Sequence, residues 1–252
     1  MKLDFTGKRV LVTGAGTGIG AATAKAFGAA GAVVGVHYNR SEASAREVAQ
    51  AIEQSGGKAV LLQGDLMRER DGIAVVEGFA AQAGGLDTLV NNAGGLLQRS
   101  PFTEYDVKTF NDTFVLNVTS AFVCSRAAVP HLQKAGAGAS IIFMSSVATR
   151  FGPPGVAPYA AAKAALNAFT MSLARELAPH IRVNAVAPGV IETPFHQATP
   201  PERMEQLKGM MLLGRLGAAE DVADVILFLA SDAARYITGE CIDINGGMNL
   251  RC

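Results

Sequence analysis

Tyr159 and Lys163 place a phenol and an ammonium group four residues apart, with only alanines between them. On a helix, residues four apart lie on one face about one turn from each other, so the two polar ends can reach a common point. Ser146 precedes Tyr159 by thirteen residues and directly follows the apolar run SIIFMS. A strand end and the start of a helix can therefore bring a serine, a tyrosine and a lysine together. The YxxxK spacing by itself also fits an amphipathic helix without chemistry.

These side chains suit the reduction of a carbonyl group. Hydride addition to the carbonyl carbon builds negative charge on the oxygen, which must receive a proton. A serine hydroxyl can hold that oxygen, and a tyrosine hydroxyl can donate the proton. An unperturbed phenol has a pKa of about 10, and a neighbouring ammonium lowers that pKa because it stabilises the phenolate. The pattern predicts that Lys163 lowers the pKa of Tyr159 and makes it an acid–base group.

The segment VTGAGTGIG follows the first strand-like run and opens the first helix-like run. Glycines permit a tight turn and remove Cβ atoms where a pyrophosphate must approach the backbone, and a helix N-terminus supplies free N–H groups. Gly14, Gly18 and Gly20 fit a G-x-x-x-G-x-G frame better than the literal G-x-G-x-x-G pattern. The segment predicts a dinucleotide site, against the alternative of a glycine-rich turn without a ligand.

The end of the second predicted strand, AVVGVHY, carries no carboxylate. NAD-preferring sites place an acid there to hydrogen-bond the ribose 2′-hydroxyl. Here Asn39, Arg40 and Ser41 follow the strand, and an arginine with a hydroxyl could bind a 2′-phosphate. The prediction is NADP(H) in preference to NAD(H), with NAD(H) still possible. The alternative is a solvated loop whose arginine touches nothing.

Length and composition restrict the class of protein. The chain has 252 residues, of which 49% are hydrophobic and 17% charged, and its formal net charge is +0. Balanced charge argues against a nucleic-acid partner. The N-terminal residues lack the long apolar segment of a secretory signal, and no window approaches the apolar length of a membrane span. Cys124, Cys241 and Cys252 are odd in number and lack metal-ligand spacing. We therefore expect free thiols, no metal and no membrane partner, and a cytoplasmic location.

Short apolar runs rich in β-branched residues alternate with helix-like segments along the whole chain. Such βαβ units predict an α/β fold, a single doubly wound Rossmann domain over residues 1–252, with a parallel sheet and helices on both faces. The predicted strands lie within residues 8–14, 32–38, 58–66, 86–94, 140–146, 181–189 and 239–247. The predicted helices lie within 18–32, 41–57, 71–82, 105–131 and 159–178. Ser41 is the expected N-cap of the second helix. In such folds, ligands bind at the carboxyl ends of the strands.

Taken together, these motifs resemble the short-chain dehydrogenase/reductase family, from Lys8 to about Gly247. Each motif alone is weak, but their order, spacing and position at strand ends are specific. The matching elements are the glycine-rich turn Thr13–Gly20, Asp65 in GDL, Asn91-Asn92-Ala93-Gly94, Asn117 in LNVTSAF, Ser146, the Tyr159 and Lys163 pair, Pro188-Gly189 with Thr193 beyond it, and the closing SDAARYITGECIDINGG.

The resemblance implies a role for each catalytic residue. Tyr159 would be the acid/base and Ser146 would position the substrate oxygen. Lys163 would lower the pKa of Tyr159 and hydrogen-bond the nicotinamide ribose, and Asn117 would hold a water that links Lys163 to solvent. Asn117 could instead be an ordinary helix asparagine that caps a kink. Ser145 is a rival to Ser146, although the thirteen-residue interval to Tyr159 matches the family at Ser146.

The resemblance also implies a set of cofactor contacts. Asp65 would touch adenine, and backbone at Asn91 and Ile191 with the Thr193 hydroxyl would hold ribose and carboxamide. Asp65 could instead form a simple turn, and Asn91 and Asn92 could mainly stabilise the sheet edge. The full set is Gly14, Thr17, Gly18, Ile19, Gly20, Asn39, Arg40, Ser41, Asp65, Leu66, Asn91, Ala93, Gly94, Tyr159, Lys163, Pro188, Gly189, Ile191 and Thr193. The histidines His37, His131, His180 and His196 match no motif and are interpreted as structural or surface residues, although His196 lies in the substrate-lid region and could touch a ligand.

The predicted substrate region contains a lid around residues 190–215, which combines a Pro-rich loop with a Met-rich helix. Leu96, Leu97 and Gln98 and the segment ATRFGPPGVAP would form the other walls, and Gln98 and Arg150 would either meet a polar or anionic substrate or face water. Met210 and Met211 fit either core or pocket.

The resemblance implies an NADPH-preferring reductase of 3-oxoacyl groups or small ketones. A sugar or polyol dehydrogenase of the same family is the alternative, and a non-catalytic nucleotide sensor is a remote one. The family and the alanine-rich helices imply a homotetramer.

Overall fold

The computed structural model of the protein describes residues 3–136, 138–197 and 199–250. These residues form one sheet of seven parallel strands in the order β3-β2-β1-β4-β5-β6-β7. Cys252, predicted to carry a free thiol, lies outside the described residues. The strands are β1 Arg9–Val12, β2 Val33–Tyr38, β3 Lys58–Gln63, β4 Thr88–Asn91, β5 Ala139–Met144, β6 Ile181–Pro188 and β7 Cys241–Ile244.

Helices connect the strands and cover both faces of the sheet. The α-helices are α1 Gly18–Ala29, α2 Glu42–Gln54, α3 Glu69–Ala83, α4 Val107–Phe114, α5 Ser120–Ala135, α6 Ala148–Phe151, α7 Ala157–Leu177, α8 Pro201–Gly209 and α9 Ala219–Ala230. One hydrophobic cluster packs α1, α2 and α9 against the sheet and contains Phe27 and Ile226. A second packs α3, α5 and α7 on the other face and contains Phe79 and Leu132. The predicted doubly wound α/β fold is confirmed.

Most of the strands are shorter than the apolar runs that predict them. Strands β4 and β5 are buried along their whole length, as expected for a parallel sheet covered on both faces. The residues left over at their carboxyl ends, such as Asn92 to Gly94 after β4 and Ser145 to Ser146 after β5, lie in loops. Because all strands are parallel, these loops meet at one edge of the sheet, which is where the polar motifs lie.

The predicted single helix over residues 105–131 is wrong in one respect. The chain passes from α4 into a π-helical turn, Val115–Thr119, and then into α5. A π-helical turn leaves carbonyl groups without their usual partners four residues later. Side chains satisfy them here: the Asn117 amide nitrogen donates to the Thr113 carbonyl over 2.9 Å, and the Ser120 hydroxyl donates to the Leu116 carbonyl over 2.6 Å. Asn117 thus lies at a distortion that the apolar pattern did not reveal.

The two ends of the predicted lid lie side by side. The Glu192 N–H donates to the Gly217 carbonyl over 2.8 Å, and the Gly217 N–H donates to the Val190 carbonyl over 3.0 Å. Helix α8 ends at Gly209, so Met210 and Met211 follow it; Met210 is 46% exposed and Met211 is 5% exposed. Met211 therefore belongs to the interior. Across the described ranges, no helix has the length and apolar character needed to cross a membrane.

Candidate active site

Strand β5 and helix α7 bring the serine, the tyrosine and the lysine together. Ser146 follows β5; its hydroxyl accepts a 3.1 Å hydrogen bond from the Ala148 N–H and lies near enough to the Tyr159 phenol to lower the phenol's pKa. Ser145 is buried, and its hydroxyl instead donates to the backbone carbonyl of Lys163 over 3.4 Å. The geometry therefore favours Ser146 over Ser145 as the serine that faces a reacting group.

Lys163 lies beneath the tyrosine. Its side chain is buried, with 2% exposure, and the ammonium nitrogen Nζ donates a 2.8 Å hydrogen bond to the Met144 carbonyl at the end of β5. Nζ lies 5.7 Å from the centroid of the Tyr159 ring. A Cβ atom on Gly94 would stand 3.0 Å from Nζ and 2.6 Å from Asn117 Oδ1. Gly94 therefore has no side chain because the lysine and the asparagine occupy that space.

Asn117 joins the π-helical turn to the loop after β4. Its Oδ1 accepts a 3.0 Å hydrogen bond from the Gly95 N–H, and its Nδ2 donates to the Gly95 carbonyl over 2.9 Å. The alternative role of a helix asparagine at a kink is therefore observed. The position against Gly94, next to Lys163, places the same residue at the predicted site.

Burial governs the protonation of the tyrosine and the lysine. It raises the pKa of Tyr159, and the hydrogen bond with Ser146 lowers it in part. Burial also lowers the pKa of Lys163 to about 8. The net pKa of the phenol is thus raised, where a lowered value was expected, because desolvation is the largest influence on it. At neutral pH the phenol keeps its proton, and most of the lysine is charged.

The glycine-rich turn is shaped by close contacts. Gly14 and Gly18 have positive φ angles of 64° and 55°, which favour glycine. A Cβ atom on Gly20 would collide with the Gly14 carbonyl oxygen, and one on Gly16 would stand 2.5 Å from the Ser41 hydroxyl. The turn therefore presents backbone rather than side chains at the start of α1, which is what an approaching pyrophosphate requires.

His37 holds this turn in place. Its Nδ1 accepts a 2.9 Å hydrogen bond from the Gly14 N–H, and its Nε2 lies 3.1 Å from the Gly64 carbonyl, to which it can donate. Burial lowers the pKa of His37, so the ring is neutral and can accept at one nitrogen while donating at the other. Its interpretation as a structural residue is right, but its link to the turn was missed. The only signal in the sequence is its place at the end of β2.

A cleft of about 490 Å³ lies at the ends of β2 and β3 and is lined mostly by polar residues. Arg40 is exposed and makes no hydrogen bond or ion pair with another described residue. Ser41 stands at the N-cap position of α2 without capping the helix through its hydroxyl. Asp65 accepts from the Met67 N–H over 3.1 Å, so the turn-forming alternative is observed, while Leu66 points into the core. The cleft is lined by Asn39, Arg40, Gln63, Gly64, Asp65, Arg68, Asp71 and Ala74.

The side chains after β4 brace the sheet edge. Asn91 Nδ2 donates to the Ser125 hydroxyl over 2.9 Å, and Asn92 Nδ2 donates to the Thr13 carbonyl over 2.8 Å. The Thr13 hydroxyl accepts from the N–H groups of Asn92 and Ala93, each over 3.0 Å. The structural alternative for the two asparagines therefore holds for their side chains, which leaves only the backbone of Asn91 for a ligand.

The segment after β6 returns to the glycine-rich turn. Gly189 packs so closely on Asn245 that an added Cβ would stand 2.8 Å from its Cα. Thr193 lies against Gly18, where an added Cβ would stand 3.3 Å from the Thr193 Cβ. Pro188 ends β6 and Ile191 is buried between these points. The start of the lid thus closes over the N-terminus of α1.

Arg150 does not belong to the substrate wall. Its Nε donates to Asp243 over 2.8 Å and its guanidinium also donates to the Cys241 sulfur over 3.1 Å, so it ties α6 to β7. It therefore neither meets a substrate nor faces water, because a carboxylate ninety-three residues later in the chain captures it. Gln98 donates to the Ser100 hydroxyl over 2.8 Å within its own loop.

Phe195 is a wall residue that the sequence did not reveal. Its ring centroid lies 6.0 Å from that of Tyr159, and the side chain is 48% exposed. An aromatic residue shortly after the Pro-Gly turn was the available signal. Among the described residues, no three His, Cys, Asp or Glu side chains stand close enough together to hold a metal ion.

Comparison with known proteins shows the family to which the chain belongs. The family model described as enoyl-(acyl carrier protein) reductase matches residues 14–249. The 3-oxoacyl-[acyl-carrier-protein] reductase FabG of Staphylococcus aureus strain Mu50 is 39% identical over 248 residues, which cover 96% of this chain and 98% of FabG. The chain belongs to the short-chain dehydrogenase/reductase family. It is an oxidoreductase of that family.

Two further members extend the likeness. The 3beta-hydroxysteroid dehydrogenase 1 of Eggerthella lenta is 38% identical over 250 residues, which cover 98% of this chain and 95% of that protein. A short-chain dehydrogenase from Burkholderia cenocepacia J2315, solved in complex with NADP, superimposes with a TM-score of 0.91 at 38% identity and covers 98% of this chain and 99% of its own. The short-chain dehydrogenase/reductase fold is therefore preserved over nearly the full length.

The space at Gly94 yields a test of the site in this short-chain dehydrogenase/reductase. Gly94→Ala should lower kcat by about tenfold or more, because its methyl group displaces Asn117 and the Lys163 ammonium by a fraction of an ångström. Gly95→Ala is the matched control, since a Cβ there meets nothing within 4 Å. Oxidoreductase activity and the thermal midpoint of both variants would be measured. Equal activities of the two variants would show that the contact at Gly94 does not matter.

Proposed function

We propose that this short-chain dehydrogenase/reductase reduces a carbonyl group to a secondary alcohol with NADPH, and that Tyr159 donates the proton. The observation that carries the proposal is that the Tyr159 ring lies 5.7 Å from the buried ammonium nitrogen of Lys163, with the Ser146 hydroxyl near enough to the phenol to lower its pKa. Ser146 would hold the carbonyl oxygen at the point where the phenol can reach it. The charge that grows on that oxygen would then be met by a hydroxyl and a proton donor.

The pKa directions support reduction as the direction in which the proton is best placed. Burial raises the pKa of Tyr159, so the phenol is protonated at neutral pH and ready to donate. Lys163, with a pKa lowered to about 8, is mostly charged at the same pH. Its positive charge would stabilise the phenolate that remains after proton transfer.

The residues of the glycine-rich turn fit a dinucleotide. The turn packs so closely on itself that Cβ atoms at Gly16 or Gly20 would collide with Ser41 or the Gly14 carbonyl, and α1 begins there with free N–H groups. When bound, the nicotinamide supplies the hydride. Arg40 and Ser41 would hold a 2′-phosphate beside the cleft that contains Asp65, and Thr193, next to Gly18, would fix the start of the lid. The NADP found in the Burkholderia cenocepacia structure supports this choice of cofactor.

The walls beside Tyr159 support a largely apolar substrate. The Phe195 ring lies 6.0 Å from the tyrosine ring, and Leu97 in the loop after β4 is 46% exposed. The names of two relatives, a 3-oxoacyl-[acyl-carrier-protein] reductase and a 3beta-hydroxysteroid dehydrogenase, refer to substrates with apolar bodies. We infer a ketone with an apolar flank, within the predicted class of 3-oxoacyl or small-ketone substrates.

The test of the reaction is a panel of ketones, aldehydes and acyl thioesters, assayed with NADPH by the absorbance of the reduced nicotinamide. Tyr159→Phe should fold, bind NADPH as the parent does and lose at least about a hundredfold of kcat, because the proton donor is removed while the ring remains. Binding would be measured by fluorescence of the bound nicotinamide. Near-parental turnover by Tyr159→Phe would reject the acid/base role.

The cofactor preference has its own test. The parent enzyme should show a higher kcat/KM with NADPH than with NADH, and Arg40→Met should reduce that ratio by about tenfold, the value of one charge-assisted hydrogen bond. Arg46→Met is the matched control, because Arg46 is also exposed but is paired with Glu42 on α2. A parent ratio at or below unity contradicts the NADPH assignment. A ratio that Arg46→Met lowers as much as Arg40→Met contradicts the role of Arg40.

The homotetramer is proposed from an apolar surface on α5 and α7. Phe122 and Met171 are 42% and 55% exposed, and the Phe122 ring lies 6.3 Å from that of Phe169 on the neighbouring helix. Exposed apolar side chains that adjoin one another are typical of subunit contacts. Light scattering at micromolar concentration should give four times the chain mass. Phe122→Glu should lower that mass and Tyr236→Glu, at a fully exposed ring, should not; a monomeric parent protein would refute the proposal.

A further inference from the structure

Arg99 lies beside the segment that leads into α7 and Tyr159, and it has no partner among the described residues. It is exposed and makes no hydrogen bond or ion pair with another described residue. Its Cγ packs over Gly155, where an added Cβ would stand 3.4 Å away, and Gly155 lies four residues before Tyr159. The base of the arginine is thus close to the catalytic helix while its charged end is free.

The loop that carries Arg99 is fixed rather than loose. The Tyr105 hydroxyl donates to the carbonyls of Gln98 and Gly155, over 2.7 Å and 3.0 Å. The Ser100 N–H donates to the same Gly155 carbonyl over 3.2 Å. These bonds on both sides of Arg99 hold its backbone against the segment that leads into α7. The guanidinium is therefore presented from a defined position.

The lid brings two aromatic rings to the same place. Phe195 lies 6.0 Å from Tyr159 and 5.0 Å from His196, measured between ring centroids. His196 is half-buried, and its pKa is lowered by burial and then by the positive charge of Arg99. Phe195 thus connects His196 to the tyrosine, and the positive charge of Arg99 acts on the same imidazole. At neutral pH the imidazole is uncharged and can donate one N–H.

We propose that Arg99 and His196 form an anion-recognition site, so that the preferred substrate is a ketone with a carboxylate or phosphate beyond an apolar segment. This rests on the proposed function and specifies its substrate. The carbonyl oxygen would lie at Ser146 and Tyr159, the apolar segment would pass Phe195, and the anion would receive hydrogen bonds from the Arg99 guanidinium and the His196 imidazole. An arginine suits this role because its planar group binds carboxylate or phosphate with two parallel hydrogen bonds.

The test uses two series of substrates. The first contains aryl keto acids with the carboxylate at increasing distance from the carbonyl, each paired with its methyl ester. The second contains the phosphate ester of a keto alcohol, paired with the keto alcohol itself. The parent enzyme should reduce at least one anion with a kcat/KM about tenfold above that of its neutral partner, as one charge-assisted hydrogen bond predicts. Arg99→Met should abolish this preference through KM, and Arg99→Lys should restore part of it. The two series distinguish a carboxylate from a phosphate.

Arg235→Met is the matched control, because Arg235 is exposed and bonds to the backbone of Asp232, and it should leave the preference unchanged. Equal use of anion and neutral partner in every pair overturns the inference, as does an equal loss on both partners in Arg99→Met. Calorimetric binding of the same pairs to the enzyme loaded with NADP⁺ separates the two proposals. If the anions bind selectively, Arg99→Met removes that selectivity, and no substrate is turned over, the anion site is upheld and the proposed reaction is contradicted. If anion and neutral partner bind equally, the anion site is contradicted.

Discussion

A buried ammonium is the constraint on which the rest of the site depends. Lys163 carries its charge into the interior, where an unpaired cation is costly, and a single carbonyl at the end of β5 receives its hydrogen bond among the described protein groups. The cost appears as a pKa lowered to about 8, which still leaves the side chain charged at neutral pH. The Met144 carbonyl that receives this bond stands at the last residue of β5, and Gly94 leaves the space beside Nζ free. The positions of β5, Gly94 and α7 relative to one another therefore determine whether Lys163 can be buried here.

The π-helical turn follows from the same requirement. In a regular helix through residues 107–135, the Asn117 amide would not be directed toward the loop after β4. One extra residue in a turn shifts Asn117 so that its amide bridges Gly95 and Thr113 at once. Distortions of this kind are frequent at functional sites, because they place a side chain where regular geometry does not. Here the distortion is stabilised by the residue that it positions.

The sequence allowed the sheet to be predicted, and also the edge at which the candidate site residues lie, and the reason is topological. Parallel strands bring all their carboxyl ends to one edge, so motifs that end strands, such as Gly14, Gly94 and Ser146, must meet there. What escaped prediction depends on partners remote in sequence. His37 needs the Gly14 N–H and the Gly64 carbonyl, and Arg150 needs Asp243. No local pattern marks such pairs, because their spacing is set by the fold and not by helix or strand periodicity.

The expectation of a lowered pKa for the Tyr159 phenol failed because it also depends on the folded surroundings. Spacing of four residues shows that an ammonium is near Tyr159, but only the folded protein shows how much water has been removed from both groups. Desolvation favours the neutral form of each, so it raises the pKa of Tyr159 and lowers that of Lys163. The two effects are not in conflict with catalysis. Burial keeps the proton on the phenol until negative charge develops on a carbonyl oxygen. The same low dielectric also strengthens the attraction between the lysine charge and the phenolate. A site that donates protons in this way gains from burial as long as the ammonium stays charged, which it does at neutral pH.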